Sequence, residues 1–372
     1  MSEVIVAIGA ARHLPADIRL DLGDLHPTQH GGMQLFLTVD DGFITAVDPR
    51  IGFMHRSAEK LFEARDYRQL MMLANRHDWV SAFSAELSIA LVLEDTMGIL
   101  PPERATWSRM LLAEMNRVTA ALIMLGSAFS NLAGLLVIRE RLLALLEQLT
   151  GSRIHPMFNR IGGIAHECSP DWLAALAVAL ESERVLLEGL PARVADECEP
   201  LSGIGVITSV VIDQYGLSGT MARASNVPLD LRVQAPYLAY ASVMDSSDIQ
   251  VDSPGDVAGR FALVARQIAL SVRIMNEAIG WLQAAGPGPV DVQLPKVVRA
   301  PELTAYQSIE GPLGVMGVLL DSIGEKTPWR LKLRTPAFAT IQSFEATLVG
   351  LRIDQLQPML QSCTFVIGDA DR

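Results

Sequence analysis

Cysteine is scarce in this chain: 372 residues contain three, Cys168, Cys198 and Cys363. They are odd in number and far apart, with no CxxC pair. That excludes a disulfide framework and a thiolate metal cage, and it suits a reducing cytoplasm. Positive charge is also short, with 30 Lys and Arg against 42 Asp and Glu and a formal net charge of −12. No Lys/Arg-dense run offsets the deficit, so a phosphate backbone is repelled and nucleic acid is excluded as a partner. There is no P-loop, no nucleophile elbow, and no GxGxxG followed by an acidic residue where a strand and helix would support it. A self-contained catalytic set is therefore not expected, and NAD is not expected to touch this chain. No basic n-region accompanies the apolar start Met1 to Ala10, which reads as a strand rather than an export signal.

Hydrophobic residues are plentiful at 50%, enough for a substantial core in one large domain or two to three smaller ones. One run, Val118 to Ile138, is long enough to cross a bilayer. Ser127, Ser130, Asn131 and Gly134 interrupt its second half, and no second such run follows. A buried bundle helix is expected there, because hydrophobicity all round also describes a core helix.

The patterning divides the chain into three expected regions: an N-terminal β region over 1–56, a helical bundle over 57–285 and a C-terminal α/β region over 286–372. Asp40-Asp41-Gly42 between the alternating runs Met33–Val39 and Phe43–Val47 signals a hairpin. Helices are expected over Ala58–Arg65, Trp79–Met97, Pro102–Leu125, Arg139–Leu149, Pro170–Glu188 and Gly255–Ala285, the third opened by a Pro-Pro pair. Gly286-Pro287-Gly288-Pro289 breaks the last of these. Strand-like Leu313–Leu320 and Trp329–Arg334, helix-like Ala337–Leu348 and a final run Thr364–Ile367 follow. The fold class is α+β, a central helical bundle flanked by small sheets.

Three loop strings hold the candidate chemistry. His26-Pro27-Thr28-Gln29-His30-Gly31-Gly32 places two imidazoles four apart in a Pro/Gly loop, where they are either incidental or able to donate a proton into a cleft. Asp48 to Lys60 is a turn leading into a charged helix start. Arg153-Ile154-His155, followed by Asn159-Arg160-Ile161-Gly162-Gly163-Ile164, sets a His and two Arg beside glycines that permit close backbone approach.

Taken in order, these strings resemble the D subunit of NADH-quinone oxidoreductase, respiratory complex I. The family's HPxxHG loop matches His26–Gly31, its HIGxxHRxxEK turn Arg50–Lys60, its PPRA helix start Pro101–Ala105, its TGxRxH segment Thr150–His155 and its RxGGV string Arg160–Ile164. Leu217-Ser218-Gly219, Arg223-Ala224-Ser225, Asp230, Arg232, Pro236-Tyr237, Gly255-Asp256-Val257, Pro328–Phe338 and Gly368–Arg372 extend the resemblance over about residues 20 to 372.

The resemblance implies a fold like that of the nickel-iron hydrogenase large subunit, with the former metal cavity turned into the inner end of a quinone channel. The missing CxxC pairs reject a hydrogenase itself. It implies no cofactor bound by this chain alone, quinone as substrate, and a neighbouring subunit carrying the terminal [4Fe-4S] cluster. The location implied is peripheral, on the cytoplasmic side of the cell membrane, held by other complex I subunits. His30 corresponds to the loop His that donates to a quinone carbonyl. Arg56, His155 and Arg160 would form the environment of the partner's cluster.

Four departures matter. The family's LDYVS-like string is His77-Asp78-Trp79-Val80-Ser81 here, so Trp79 replaces the Tyr that serves as second headgroup ligand. An indole N–H donates a hydrogen bond but cannot surrender a proton. Asn131 stands where an Asp partners the loop His. An ESARGE-like string becomes Gln307 to Pro312, exchanging a cation for Glu310, and the segment from Pro289 to Gln307 is short. Two readings follow: a quinone-reducing subunit, or a structural member of a complex I-like assembly that has lost quinone chemistry.

Overall fold

The computed structural model describes residues 32–372 together with the backbone of residues 2–8 and 18–21. Strands β1 (Ser2–Ile8), β2 (Ile18–Asp21), β3 (Met33–Asp40) and β4 (Phe43–Arg50) form a sheet in the order β2-β1-β3-β4. The expected hairpin joins β3 to β4. Asp41 and Gly42 both take positive φ, 46° and 79°, as a two-residue turn matched to the twist of its strands requires.

The bundle contains α1 (Ala58–Glu63), α2 (Leu70–Ala74), α3 (Ala82–Met97), α4 (Glu103–Ala128) and α5 (Leu135–Thr150). After the small ribbon β5 (Asn159–Arg160) and β6 (Gly163–Ile164) come α6 (Pro170–Ser182), α7 (Arg184–Glu188), α8 (Leu190–Cys198), α9 (Ser209–Tyr215), α10 (Gly219–Ala224), α11 (Leu231–Gln234) and α12 (Val257–Ala285). Helices α4 and α12 make the most extensive pairing. Trp107 and Trp281 stack between them with ring centroids 4.9 Å apart. Asp256 caps α12 by accepting the Gly259 N–H at 2.7 Å, which satisfies a donor left over at the helix start.

The apolar run Val118–Ile138 is not one helix, contrary to expectation. Phe129 is extended (φ −125°, ψ 117°), so the run divides into the end of α4, a 3-10 turn over Ser130–Leu132 and the start of α5. Among the described residues, one helix, Glu103–Ala128, is long and apolar enough to cross a membrane, and 78% of its most apolar window is buried within the protein.

The C-terminal region holds the sheet β7 (Leu303–Gly311), β8 (Gly314–Ser322) and β9 (Arg330–Arg334), then α13 (Pro336–Gln342), α14 (Phe344–Thr347), α15 (Leu356–Ser362) and α16 (Ile367–Ala370). Strands β7 and β8 pack on α3, and β9 packs on α1. Ile44 exchanges backbone hydrogen bonds of 2.8 Å with Leu351 and Gly350, tying the first sheet to this region. One apolar core runs from Met33 in β3 to Ala370 in α16.

Charges are buried in that core as well. Arg232 bonds Asp230 at 2.8 Å and Glu114 at 3.2 Å, Arg117 lies 3.3 Å from Glu114, and Arg223 bonds Glu310 at 2.7 Å. Three guanidiniums thus face three carboxylates. Glu114 also accepts from Ser271 and Tyr240, each at 2.6 Å. Burial alone would raise its pKa, but Arg117 and Arg232 outweigh burial and hold it at about 2. Glu310, which stands where the family carries a cation, is therefore the anion that balances Arg223 and not a lost surface contact.

Candidate functional site

Helix α3 organises the loops around the site through two buried carboxylates. Glu86 accepts the backbone N–H groups of Met157, Phe158 and Asn159 at 2.5, 2.9 and 3.1 Å, and the Asn75 amide at 2.7 Å. Burial pushes its pKa up against those four hydrogen bonds. Two turns along, Glu94 receives Arg109 in a bidentate pair at 2.7 and 2.8 Å and the Gly162 N–H at 2.6 Å. Arg109 then donates to the carbonyls of Arg160 at 2.7 Å and Gly163 at 2.8 Å. A Cβ on Gly163 would lie 2.6 Å from Asp291 Cα, and its φ is 154°, so the close approach inferred for this glycine string is real and made by backbone. Sequence reasoning named the string but missed Glu86 and Glu94, whose helix positions look like ordinary acidic residues.

The last five residues close the site from the other side. Asp371 accepts from the N–H groups of Gly52 at 2.7 Å and Met54 at 2.8 Å, and its carbonyl receives His55 Nδ1 at 2.9 Å. Arg372 pairs with Glu59 at 3.3 Å, and Glu59 in turn holds Arg330 at 2.9 Å. Gly368 lies flat against the turn at 77–79. A Cβ there would clash with the Trp79 ring and sit 2.6 Å from the His77 carbonyl oxygen. The resemblance placed the tail and the turn in one family but did not show that they touch.

Trp79 is half-buried and borders a cavity of about 30 Å³ lined also by Phe83, Asn116, Thr119, Leu143 and Ile154. That space suits water rather than an aromatic headgroup. His155 is half-buried and donates from Nδ1 to the Asn75 carbonyl at 2.9 Å. Its pKa is lowered, first by burial and then by the positive charges of Arg76 and Arg56. Arg160 is exposed and bonds the Met157 and Asn159 carbonyls, while Arg76 approaches the Met157 sulfur. The structure brings Arg56 and Arg76 within electrostatic reach of His155, while Arg160 and Arg76 both meet Met157 two residues further on. None of these three arginines pairs with a carboxylate among the described residues, in a chain of net charge −12.

His30 lies outside the described residues. Asn131 does not line the Trp79 cavity: because α4 ends at Phe129, residue 131 turns outward, is exposed, and donates to Glu197 at 2.9 Å while its carbonyl accepts from Arg193 at 3.3 Å. Among the described residues no cluster of His, Cys, Asp and Glu is arranged to hold a metal ion.

The family model described as respiratory-chain NADH dehydrogenase, 49 Kd subunit, matches residues 127–302 and 290–372. The D 2 subunit of NADH-quinone oxidoreductase from Streptomyces griseus is 41% identical, with all of this chain and 96% of that protein aligned. The D 1 subunit from Streptomyces coelicolor is 40% identical over all of this chain and 99% of its own length. The D subunit from Geobacillus thermodenitrificans is 31% identical over 95% of this chain and 98% of its own. On full-length identity and on the ordered strings around its loops, the chain belongs to the family of the 49 kDa, or D, subunit of respiratory NADH-quinone oxidoreductase.

Proposed function

We propose that this protein forms one wall of the chamber in which quinone is reduced, the facing wall belonging to the neighbour that carries the terminal [4Fe-4S] cluster. In this reading reduction is coupled to proton translocation, and the protein sits at the cytoplasmic face of the cell membrane, held there by its partners. The observation that carries the reading is the positive charge near His155: Arg56 and Arg76 act on it, Arg160 lies at Met157, and none of the three meets a carboxylate among the described residues of this acidic protein. Permanent positive charge beside a redox centre favours its reduced, more negative state. His155, held by the Asn75 carbonyl, is placed to take up a proton when negative charge arrives nearby.

The neighbour's cluster supplies electrons. This chain's side chains bind and protonate. His30 donates a proton to one carbonyl oxygen as reduction raises that oxygen's basicity, and Trp79 offers an N–H to the other. Quinone reduction by the purified assembled complex tests this. His30→Ala should lower the rate by about 100-fold, the usual contribution of a positioned acid, and a fully active His30→Ala complex removes the mechanism.

One observation favours the alternative, a structural role without quinone chemistry: the Asn131 amide is engaged by Glu197. Purified complex lacking inhibitor-sensitive quinone reduction would decide for it.

A further inference from the structure

Directly behind Trp79 lies a buried ionisable cluster that the family's LDYVS-like string does not contain, because His77 stands where that string has Leu. His77 Nδ1 is 3.0 Å from Asp369 Oδ1, with both side chains almost fully buried. Asp369 also accepts the Ala337 N–H at 3.2 Å. Asp78 is completely buried and accepts the N–H groups of Val80 and Ser81 at 3.0 and 2.8 Å through Oδ1. Its Oδ2 has no hydrogen-bond partner among the described residues.

The charged and titratable groups facing one another are His77 and Asp78 from the turn, Asp369 from α16 and Arg334 from β9. Two carboxylates in a dry site ionise together only at a cost, which favours a proton on the pair. Burial first, then the Asp369 charge, pushes Asp78 up to about 7. A donor acts best when its proton affinity lies near the working pH. Gly368 presses on both the His77 carbonyl and the Trp79 ring, so cluster and indole are one packed unit. The small cavity bordered by Trp79 and Val80, on the same turn as His77 and Asp78, is of a size for water.

We propose that His77, Asp78 and Asp369 form a proton store for quinone reduction beside Trp79, providing the proton that the indole cannot give. The inference rests on the chamber reading above. Quinone accepts two electrons through the neighbour's iron–sulfur cluster and two protons, and one O–H bond forms at each carbonyl oxygen. His30 supplies the first proton. The second leaves the store, where an O–H or N–H bond breaks and one additional negative charge remains until a proton from solvent refills it. The pairing of an imidazole at 77 with an indole at 79 is thereby one change: the proton donor has moved two residues back along the turn.

The test compares quinone reduction by the assembled wild-type, His77→Gln, Asp78→Asn, Trp79→Tyr and His77→Gln/Trp79→Tyr complexes from mildly acid to alkaline pH. His77→Gln and Asp78→Asn should each lower kcat by about 100-fold below about pH 7, where Asp78 holds its proton, and approach wild type as pH rises above 7 and the store empties, with KM for quinone held within about twofold. A phenol supplied by Trp79→Tyr should restore most of that loss in the His77→Gln background. Unchanged kcat and pH profile in the assembled variants overturns the proposal, and so does a loss that is equal at every pH and not rescued by Tyr. If His77→Gln does not assemble, Asp78→Asn decides, since its amide oxygen can keep both backbone hydrogen bonds. A wild-type complex that reduces no quinone overturns the chamber reading and the store with it, whereas an active complex indifferent to these substitutions overturns the store alone.

Discussion

Two groups of charges divide this molecule. In the bundle core, Arg117, Arg223 and Arg232 are matched by Glu114, Asp230 and Glu310 with distances of 2.7 to 3.7 Å. At the loop surface, Arg56 and Arg76 lie near His155 and Arg160 lies at Met157, with no carboxylate to match them among the described residues. Burial explains the difference. An unpaired charge in the core costs several kcal/mol, so Arg117, Arg223 and Arg232 have their anions, and Arg260, buried without a carboxylate, is met instead by the Gly205 and Gly255 carbonyls and the Ser362 hydroxyl. At the surface water screens the excess, and an imbalance can persist when something outside the chain uses it. Balance therefore marks architecture, and in the proposed reading the imbalance near His155 marks the face turned to a partner.

The largest expected effect comes from breaking the balance in the core. Glu114→Ala strands Arg117, takes away one of the two carboxylates on Arg232 and leaves Ser271 and Tyr240 without their acceptor. We expect about 3–5 kcal/mol of lost stability, measured by denaturant unfolding of the chain or by its yield in assembled complex. A loss below about 1 kcal/mol, the range of an exposed pair, would erase the distinction between the two groups.

Acid should expose the same network without mutation. Glu114 is held at about 2, below its ordinary 4.5. The unfolded chain therefore takes up its proton first as pH falls. Stability from this group is complete above about 4.5 and is lost as pH falls toward 2. Glu114→Gln should flatten that part of the stability-pH curve; an unchanged acid limb would show that the guanidiniums do not hold this carboxylate down.

The smallest effect on the fold is expected at the surface group. Arg160→Gln should change the stability of the chain by no more than about 0.5 kcal/mol, as exposed substitutions do. It should nevertheless weaken association with partner subunits in a salt-dependent manner, read by co-purification at low and high ionic strength. If Arg160→Gln unfolds the chain, the cation is architectural and the comparison fails at that residue.

Much of the fold was legible in local pattern. The Asp41-Gly42 turn, the Pro-Pro start of α4 and the Gly286 end of α12 are local chemistry, and the structure agrees with each. The errors came where local pattern is silent. Val118–Ile138 reads as continuous apolar helix, but Phe129 is extended there and the helix stops. Pro170–Glu188 is two helices meeting at Glu183. Strand β7 was not foreseen, because Leu303–Gly311 gains its hydrogen bonds from β8 and its burial from α3. At the site, the resemblance brought Arg56, His155 and Arg160 into one group. Glu86, Glu94, Asp369 and Asp371 stayed hidden, since each acts on backbone or side chains 68 to 319 residues away in the chain.

By itself, the amino-acid sequence determined the helices and turns, the acidic balance, the absence of a thiolate cage and, through its ordered strings, the family. Those properties depend on neighbours a few residues apart or on composition, so a linear reading reaches them. Only the tertiary structure decided that the C-terminal tail seals the His77–Trp79 turn, that Glu310 answers Arg223, and that Asn131 faces Glu197 rather than the indole's cavity. Such pairings form only when a common core carries distant segments to within hydrogen-bond reach, and no local property of either partner specifies the other.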